Sequence, residues 1–239
     1  MQDDDEPAIE PTTEPGQSAS IESIHDPRAL QILTAEHSSL QADRSLAYNE
    51  AFTRTGIFLT FLSMSFVALA LVAQAIPITN PDFLAIAALL LAFDFVVGLT
   101  TFGRVVATSH EDYRAVLGMT RIRHGYGEIA PALLPYFITG THDDLRGVMV
   151  SYGSPPLKGL GAIVNQLLTS AGTINVIVSM IGGVLAFVVA LLIGMEVPVA
   201  FGAAVIGAIV VFVALGAITI RFYLRVQANQ EVLFPTPRE

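Results

Sequence analysis

The chain has no cysteine and no tryptophan. The first absence excludes disulfides, thiolate metal centres and cysteine nucleophiles. The second means that any aromatic belt at a membrane interface has to come from its 14 Phe and 6 Tyr. Charge is scarce as well: 14% of the 239 residues are Asp, Glu, Lys or Arg, against 53% hydrophobic. No strongly basic patch exists, so nucleic acid is not an expected partner. Phosphate-loop and nucleophile-elbow motifs are missing. His110-Glu111 is followed by Asp-Tyr-Arg, so the zincin pattern fails. Gly125-Tyr126-Gly127-Glu128-Ile129-Ala130 matches G-x-G-x-x-A in form only. Arg121-Ile122-Arg123-His124 precedes it where a dinucleotide site needs an apolar strand. No cofactor is expected.

What the chain does have is long apolar runs. Phe83–Gly103 holds 21 residues with one carboxylate near its middle, Asp94. As a helix it is about 31 Å long, enough to cross the hydrocarbon core of a bilayer. Thr55–Ile76 precedes it as a first span, joined to it by the turn-rich Pro77–Pro81. Ile174–Met195 and Val199–Phe222 are the third and fourth spans, with a turn near Glu196 and Pro198. Ser179/Gly183 and Ala203/Gly207 are small-xxx-small pairs that permit close helix approach. The fold class is therefore an all-α membrane protein. It comprises two hairpins, 55–103 and 174–222, with helices before and between them.

Charge is distributed unevenly. Residues 1–26 hold eight acids (Asp3, Asp4, Asp5, Glu6, Glu10, Glu14, Glu22, Asp26) and no Lys or Arg. That segment is expected to be a disordered acidic tail, without the basic and apolar regions of a signal peptide. Asp26-Pro27 opens a juxtamembrane helix over 27–54. Its stripe Leu30, Leu33, His37, Leu40, Arg44, Ala47 and Ala51, interrupted by His37 and Arg44, suits packing on other cytosolic segments, with a short coiled-coil seam as the alternative. The 12 Lys and Arg all fall before span one, between spans two and three, or after span four. The positive-inside rule then puts both termini and the 104–173 loop in the cytoplasm, with 223–239 as a cytosolic tail.

Within the loop, Ser109–Asp112 reads as a helix start, with a stop at Gly125 and Gly127. Glu128–Ile138 reads as a second helix notched by Pro131 and Pro135. Thr141–Asp144 opens a third with Leu145, Val148, Met149 and Tyr152 on one side. Leu160–Ala171 has the apolar spacing of a surface-lying helix.

Two constellations carry candidate chemistry. A carboxylate at a span centre costs roughly 2.5–3.5 kcal/mol on insertion scales, which the apolar residues around Asp94 outweigh. It is expected to face the other helices, protonated or hydrogen-bonded. Ser63 and Ser65 lie at similar depth on span one, and Ser179 with Asn175 nearer the inner end of span three. This intramembrane polar set either clamps helices together or handles a proton or cation. In the loop, His124, Glu128 and His142 are weak metal candidates, since His124 and Glu128 stand four apart. Solvation and capping are the simpler account of the acids and histidines there.

Residues 30–54 (LQILTAEHSSLQADRSLAYNEAFTR) and 117–144 (LGMTRIRHGYGEIAPALLPYFITGTHDD) resemble stretches of a group of uncharacterised bacterial four-span membrane proteins. The resemblance runs from about residue 27 through the loop, and the last two spans agree in hydropathy only. It implies a topology and no activity.

Three functions are therefore expected, in order. First is a structural or interaction component of the cytoplasmic membrane, as a homo-oligomer or a subunit of a larger complex. Second is a small channel or ion-coupled transporter using Asp94. Third is a membrane enzyme with a loop His/acidic site. Reporters fused near Asn80 and Glu196 should read as outside, and one near Pro135 as inside. A cytoplasmic signal at Asn80 would dispose of the four-span topology.

Overall fold

Two helices of 49 residues each, α1 (Pro27–Ala75) and α2 (Pro81–Ile129), dominate the molecule. A computed structural model describes residues 23–153, 161 and 167–237. After α2 come a 3-10 turn at Pro131–Tyr136 and a short helix, α3 (Leu145–Ser151). Two apolar helices follow, α4 (Ser170–Leu192) and α5 (Val197–Ala228). The described residues contain no strand. Four helices, α1, α2, α4 and α5, are long and apolar enough to cross a membrane.

Each helix start has a local cause. Asp26 accepts a hydrogen bond from the Arg28 amide at 2.8 Å, with Pro27 at the first helical position. Asn80 caps α2 in the same way through the Asp82 amide at 2.8 Å, followed by Pro81. Thr169 caps α4 through Gly172 at 3.1 Å. Gly194, at φ +83°, takes the left-handed conformation that closes the α4–α5 turn.

A 49-residue helix is about 73 Å long, more than twice the hydrocarbon thickness, so α1 and α2 leave the apolar zone together as a paired stalk. The juxtamembrane helix and span one are thus a single rod. Most of the stripe read from the sequence is the face that α1 turns toward α2. Leu40 packs on Tyr113, Val116 and Met119. The Leu33 side chain lies over Gly125, His37 meets the Tyr126 ring, and Ala47 is buried. Leu30 falls off the stripe and is exposed.

The break expected at Ser109–Asp112 does not exist. Ser109 Oγ donates to the Val105 carbonyl at 2.8 Å, a mid-helix back-bond, and Asp112 is engaged by other partners described below. Gly125 and Gly127 do not stop α2 either. They are notches: a Cβ at Gly127 would sit 2.6 Å from Leu134 Cδ2, and one at Gly125 3.2 Å from Ile24 Cδ1. Ile24 therefore packs against α2, and residues 23–26 belong to the fold rather than to the acidic tail. The remaining tail residues lie outside the described set. Glu128–Ile138 is not one α-helix. Glu128 and Ile129 finish α2, Pro131 forces Ala130 out of the helical region, and six residues make a 3-10 turn. Asp144, not Thr141, caps α3 through Gly147 at 2.9 Å. Val148 is its buried residue, and Leu145 is exposed. The surface helix expected at 160–171 lies mostly outside the described residues.

In the apolar zone the helices lie in a row, α1–α2–α4–α5, since α1 packs on α2, α2 on α4 and α4 on α5. Half of the α4 span is buried inside the protein, against 11% for α1 and α5, which places α1 and α5 on the flanks. Gly98 marks where three helices meet. A Cβ there would lie 2.7 Å from Val178 and 3.1 Å from the Phe58 ring. The α4–α5 crossing is tighter still. A Cβ on Gly183 would sit 2.8 Å from the Ala204 carbonyl oxygen and 2.9 Å from Ala208 Cβ. Gly183→Val should therefore force α4 and α5 apart and cost about 1–3 kcal/mol, read as a lower unfolding temperature in detergent. Gly56→Val, where nothing lies within 4 Å, is the matched control and should change little. Equal losses in both would show that the close approach at Gly183 is not what holds the hairpin.

Candidate functional site

Asp94 lies midway along the apolar run of α2 and is 1% exposed. Its Oδ1 accepts a hydrogen bond from the Ser65 hydroxyl of α1 at 2.9 Å. Its Oδ2 has no hydrogen-bond partner within the protein. Elsewhere on the α1–α2 pair the Phe61 and Phe93 rings meet edge to face, with centroids 6.0 Å apart. The sequence-predicted polar set does not assemble as one site. Ser63 is exposed and its hydroxyl returns to the Leu59 carbonyl at 2.8 Å. Ser179 is buried on α4, where its hydroxyl donates to the Asn175 carbonyl at 2.7 Å and stands 3.2 Å from Asn175 Oδ1. Asn175 in turn donates from Nδ2 to the Phe212 carbonyl of α5 at 3.3 Å. The result is two separate ties: Ser65–Asp94 joins α1 to α2, and Asn175 joins α4 to α5.

Charged side chains clasp the stalk. Where the apolar zone ends, Glu50 of α1 accepts two hydrogen bonds from Arg104 of α2, at 2.8 and 2.7 Å, and a third from Arg54 at 2.9 Å. The Arg104 and Arg54 guanidiniums hold the Glu50 carboxyl at a pKa of about 2. Two turns farther out, Arg44 Nε donates to Asp112 Oδ1 at 2.6 Å, and Tyr152 donates to Asp112 Oδ2 at 2.7 Å. The Arg44 guanidinium lies over both the Tyr48 and Tyr152 rings, 5.6 Å from each centroid. Burial and the bond to Asp112 push the Tyr152 phenol well above its usual range, so it remains a donor.

Asp143, in the connection before α3, is bonded through both its side chain and its backbone. Its side chain is fully buried. Oδ2 accepts from Arg121 Nε and from the Leu233 amide, both at 2.9 Å, and Oδ1 accepts from the Phe234 amide at 2.7 Å. The backbone of Asp143 also pairs with the C-terminal segment. Its amide donates to the Phe234 carbonyl at 3.2 Å, and its carbonyl accepts from the Gln230 side chain at 2.6 Å. Tyr113 holds the same Gln230 through its Oε1 at 2.7 Å, and Arg121 reaches the Glu231 carbonyl. Asp144 caps α3 and also takes the Thr236 amide at 3.1 Å and the Thr236 hydroxyl at 2.8 Å. Burial alone would raise both carboxyls. The backbone amides, joined by Arg121 for Asp143 and Thr236 for Asp144, outweigh it and hold both below the ordinary range.

His124 stacks on Phe234, with centroids 4.0 Å apart and planes 23° apart, and stands edge-on to His142 at 5.9 Å. Because α2 runs unbroken, His124 and Glu128 do share a face, 3.5 Å apart. Even so, among the described residues no group of three or more His, Asp or Glu side chains converges as a metal site. Sequence reasoning treated Asp143 as solvated. Its partners lie about 90 residues downstream and are mostly backbone amides, which leave no trace in side-chain patterning.

Comparison with protein-family models, curated proteins and solved structures finds no match for this chain.

The lowered carboxyls fix a pH dependence. Their contribution is present above the ordinary carboxylate range of about 4 and is lost as pH falls through their lowered values. Protection of the Leu233, Phe234 and Thr236 amides against hydrogen exchange, relative to the intrinsic rate at each pH, should be high at neutral pH and fall steeply below about pH 4. Asp143→Asn should abolish the protection already at neutral pH. Unchanged protection in that variant would show that the carboxylate is not the anchor.

Proposed function

We propose that this protein is an integral component of the cytoplasmic membrane whose role is structural: it holds and presents an extramembrane head, as a homo-oligomer or as a subunit of a larger complex. In this reading both termini and the stalk lie in the cytoplasm. The observation that carries it is the use made of the one carboxylate inside the spans. Asp94 is spent on a helix–helix bond to Ser65 and has no second carboxylate along the spans to relay to. The stalk's carboxylates Glu50, Asp112, Asp143 and Asp144 are likewise committed to interlocking elements. Such an arrangement suits rigid presentation of a surface more than turnover of a substrate.

A second reading has one specific support. The Oδ2 of Asp94 carries no partner within the protein, and a buried carboxyl with a spare oxygen is the usual starting point for proton or cation handling.

Two measurements separate them. Native mass determination in nanodiscs should find a homo-oligomer or a defined complex. Asp94→Asn keeps the hydrogen-bonding capacity and should keep stability. Asp94→Leu should lower stability only modestly, since intramembrane side-chain bonds average about 0.6 kcal/mol. A pH-gradient- or voltage-driven flux in proteoliposomes, present in the wild type and absent in Asp94→Asn, would overturn the structural reading in favour of transport.

A further inference from the structure

The C-terminal segment meets the stalk as a bound peptide meets a receptor. From residue 233 to 236 every backbone donor is taken by two adjacent carboxylates: Leu233 and Phe234 by Asp143, and Thr236 by Asp144. Pro235 has no amide to offer, and with Pro237 it keeps the segment extended. Receptor groups also grip from both sides, Arg121 on the Glu231 carbonyl and the Asp143 amide on the Phe234 carbonyl. Only three of the segment's side chains are used. Gln230 bonds Tyr113 and Asp143, Phe234 stacks on His124, and the Thr236 hydroxyl bonds Asp144. Glu231, Val232, Leu233, Pro235 and Pro237 are exposed.

This division has a physical consequence. Little apolar surface is buried by the segment, so hydrophobic burial does not lock it in place. Its attachment rests on backbone hydrogen bonds and one aromatic stack, the mode by which grooves recognise extended peptides. The receptor side has supports of its own: Arg121 and His124 lie on α2, and Asp144 caps α3 through Gly147.

We propose that the Asp143–Asp144 corner is a peptide-docking site, filled in cis by residues 230–236 and open, when they leave, to an extended Phe-Pro-containing segment of a partner protein. The required chemistry is two consecutive backbone amides, the second on an aromatic residue, followed by Pro and a hydroxyl residue. The proposal rests on the interaction reading above in that it names the class of partner. A segment already held in cis competes at high effective concentration, so a partner must displace it or meet it already released.

The test uses the full chain in nanodiscs with a protease site inserted between Asn229 and Gln230. After cleavage, a fluorescently labelled synthetic peptide of residues 230–237 should bind saturably, displace the cut segment and be competed off by unlabelled peptide. Replacing Phe by Ala at position 234 of the peptide, or Asp143→Asn in the protein, should weaken binding at least about tenfold. A second sample guards against loss of structure on cleavage. The uncut chain carrying Phe234→Ala should bind the same labelled peptide with higher affinity than the uncut wild type. Binding in these samples supports the proposal. If the labelled peptide binds neither, or binds with no sensitivity to Asp143→Asn, the segment is an integral part of the fold and the proposal is wrong. Native mass on the same samples keeps the two readings apart: an oligomer or complex that persists without peptide binding leaves the structural role standing and removes only this site.

Discussion

Helix α1 is held in one register against α2, and the remainder of the molecule leans on that pair. The contacts change character with depth. In the apolar zone they are Phe58 against Gly98 and the single Ser65–Asp94 bond. At its edge they become Glu50 with Arg104, and in the stalk Arg44 with Asp112 and Leu40 over Gly118. No one of these is strong alone, and exposed ion pairs contribute little to stability. Together they forbid sliding. A one-turn shift would strand Asp94 without its hydroxyl in hydrocarbon and part Glu50 from Arg104, leaving buried polar groups unpaired. Helix α4 then packs on α2, α5 on α4, and the C-terminal segment on the far end of α2.

Hydropathy carried most of the fold. Four apolar helices are visible in hydropathy alone, as is the cap at Asp26, because capping is a local interaction between near neighbours. What local reasoning mistook was continuity. Ser109 with Asp112 has the spelling of a helix start, and Gly125 with Gly127 the spelling of a stop. Both are overridden by packing: Arg44 and Tyr152 claim Asp112, while Leu134 and Ile24 fill the space the glycines leave. Propensity is a weak prior when a partner helix supplies contacts along the whole length.

The sites were legible to different degrees for the same reason. Asp94 and Ser65 could be paired from depth along two antiparallel spans, whereas Ser63 shared that depth but faces elsewhere. Helical phase, not depth, decides which side chains meet. Asp143 could not be found at all. Its worth comes from the amides of Leu233 and Phe234, which every sequence possesses. The two carboxylates also differ in kind. Asp143 is fully satisfied by three donors, the condition under which a buried polar network specifies one geometry. Asp94 has one donor.

The length of the stalk has a consequence for how the corner is addressed. Arg121 lies 17 residues beyond Arg104, which stands where the apolar run ends. At the helical rise this is about 26 Å. Ionic screening at physiological strength acts over about 8 Å. The Arg121 side of the corner therefore stands about three screening lengths along the helix from the end of the apolar run. Charge at that end of the stalk is felt from the protein's own neighbouring side chains, Asp143 first among them.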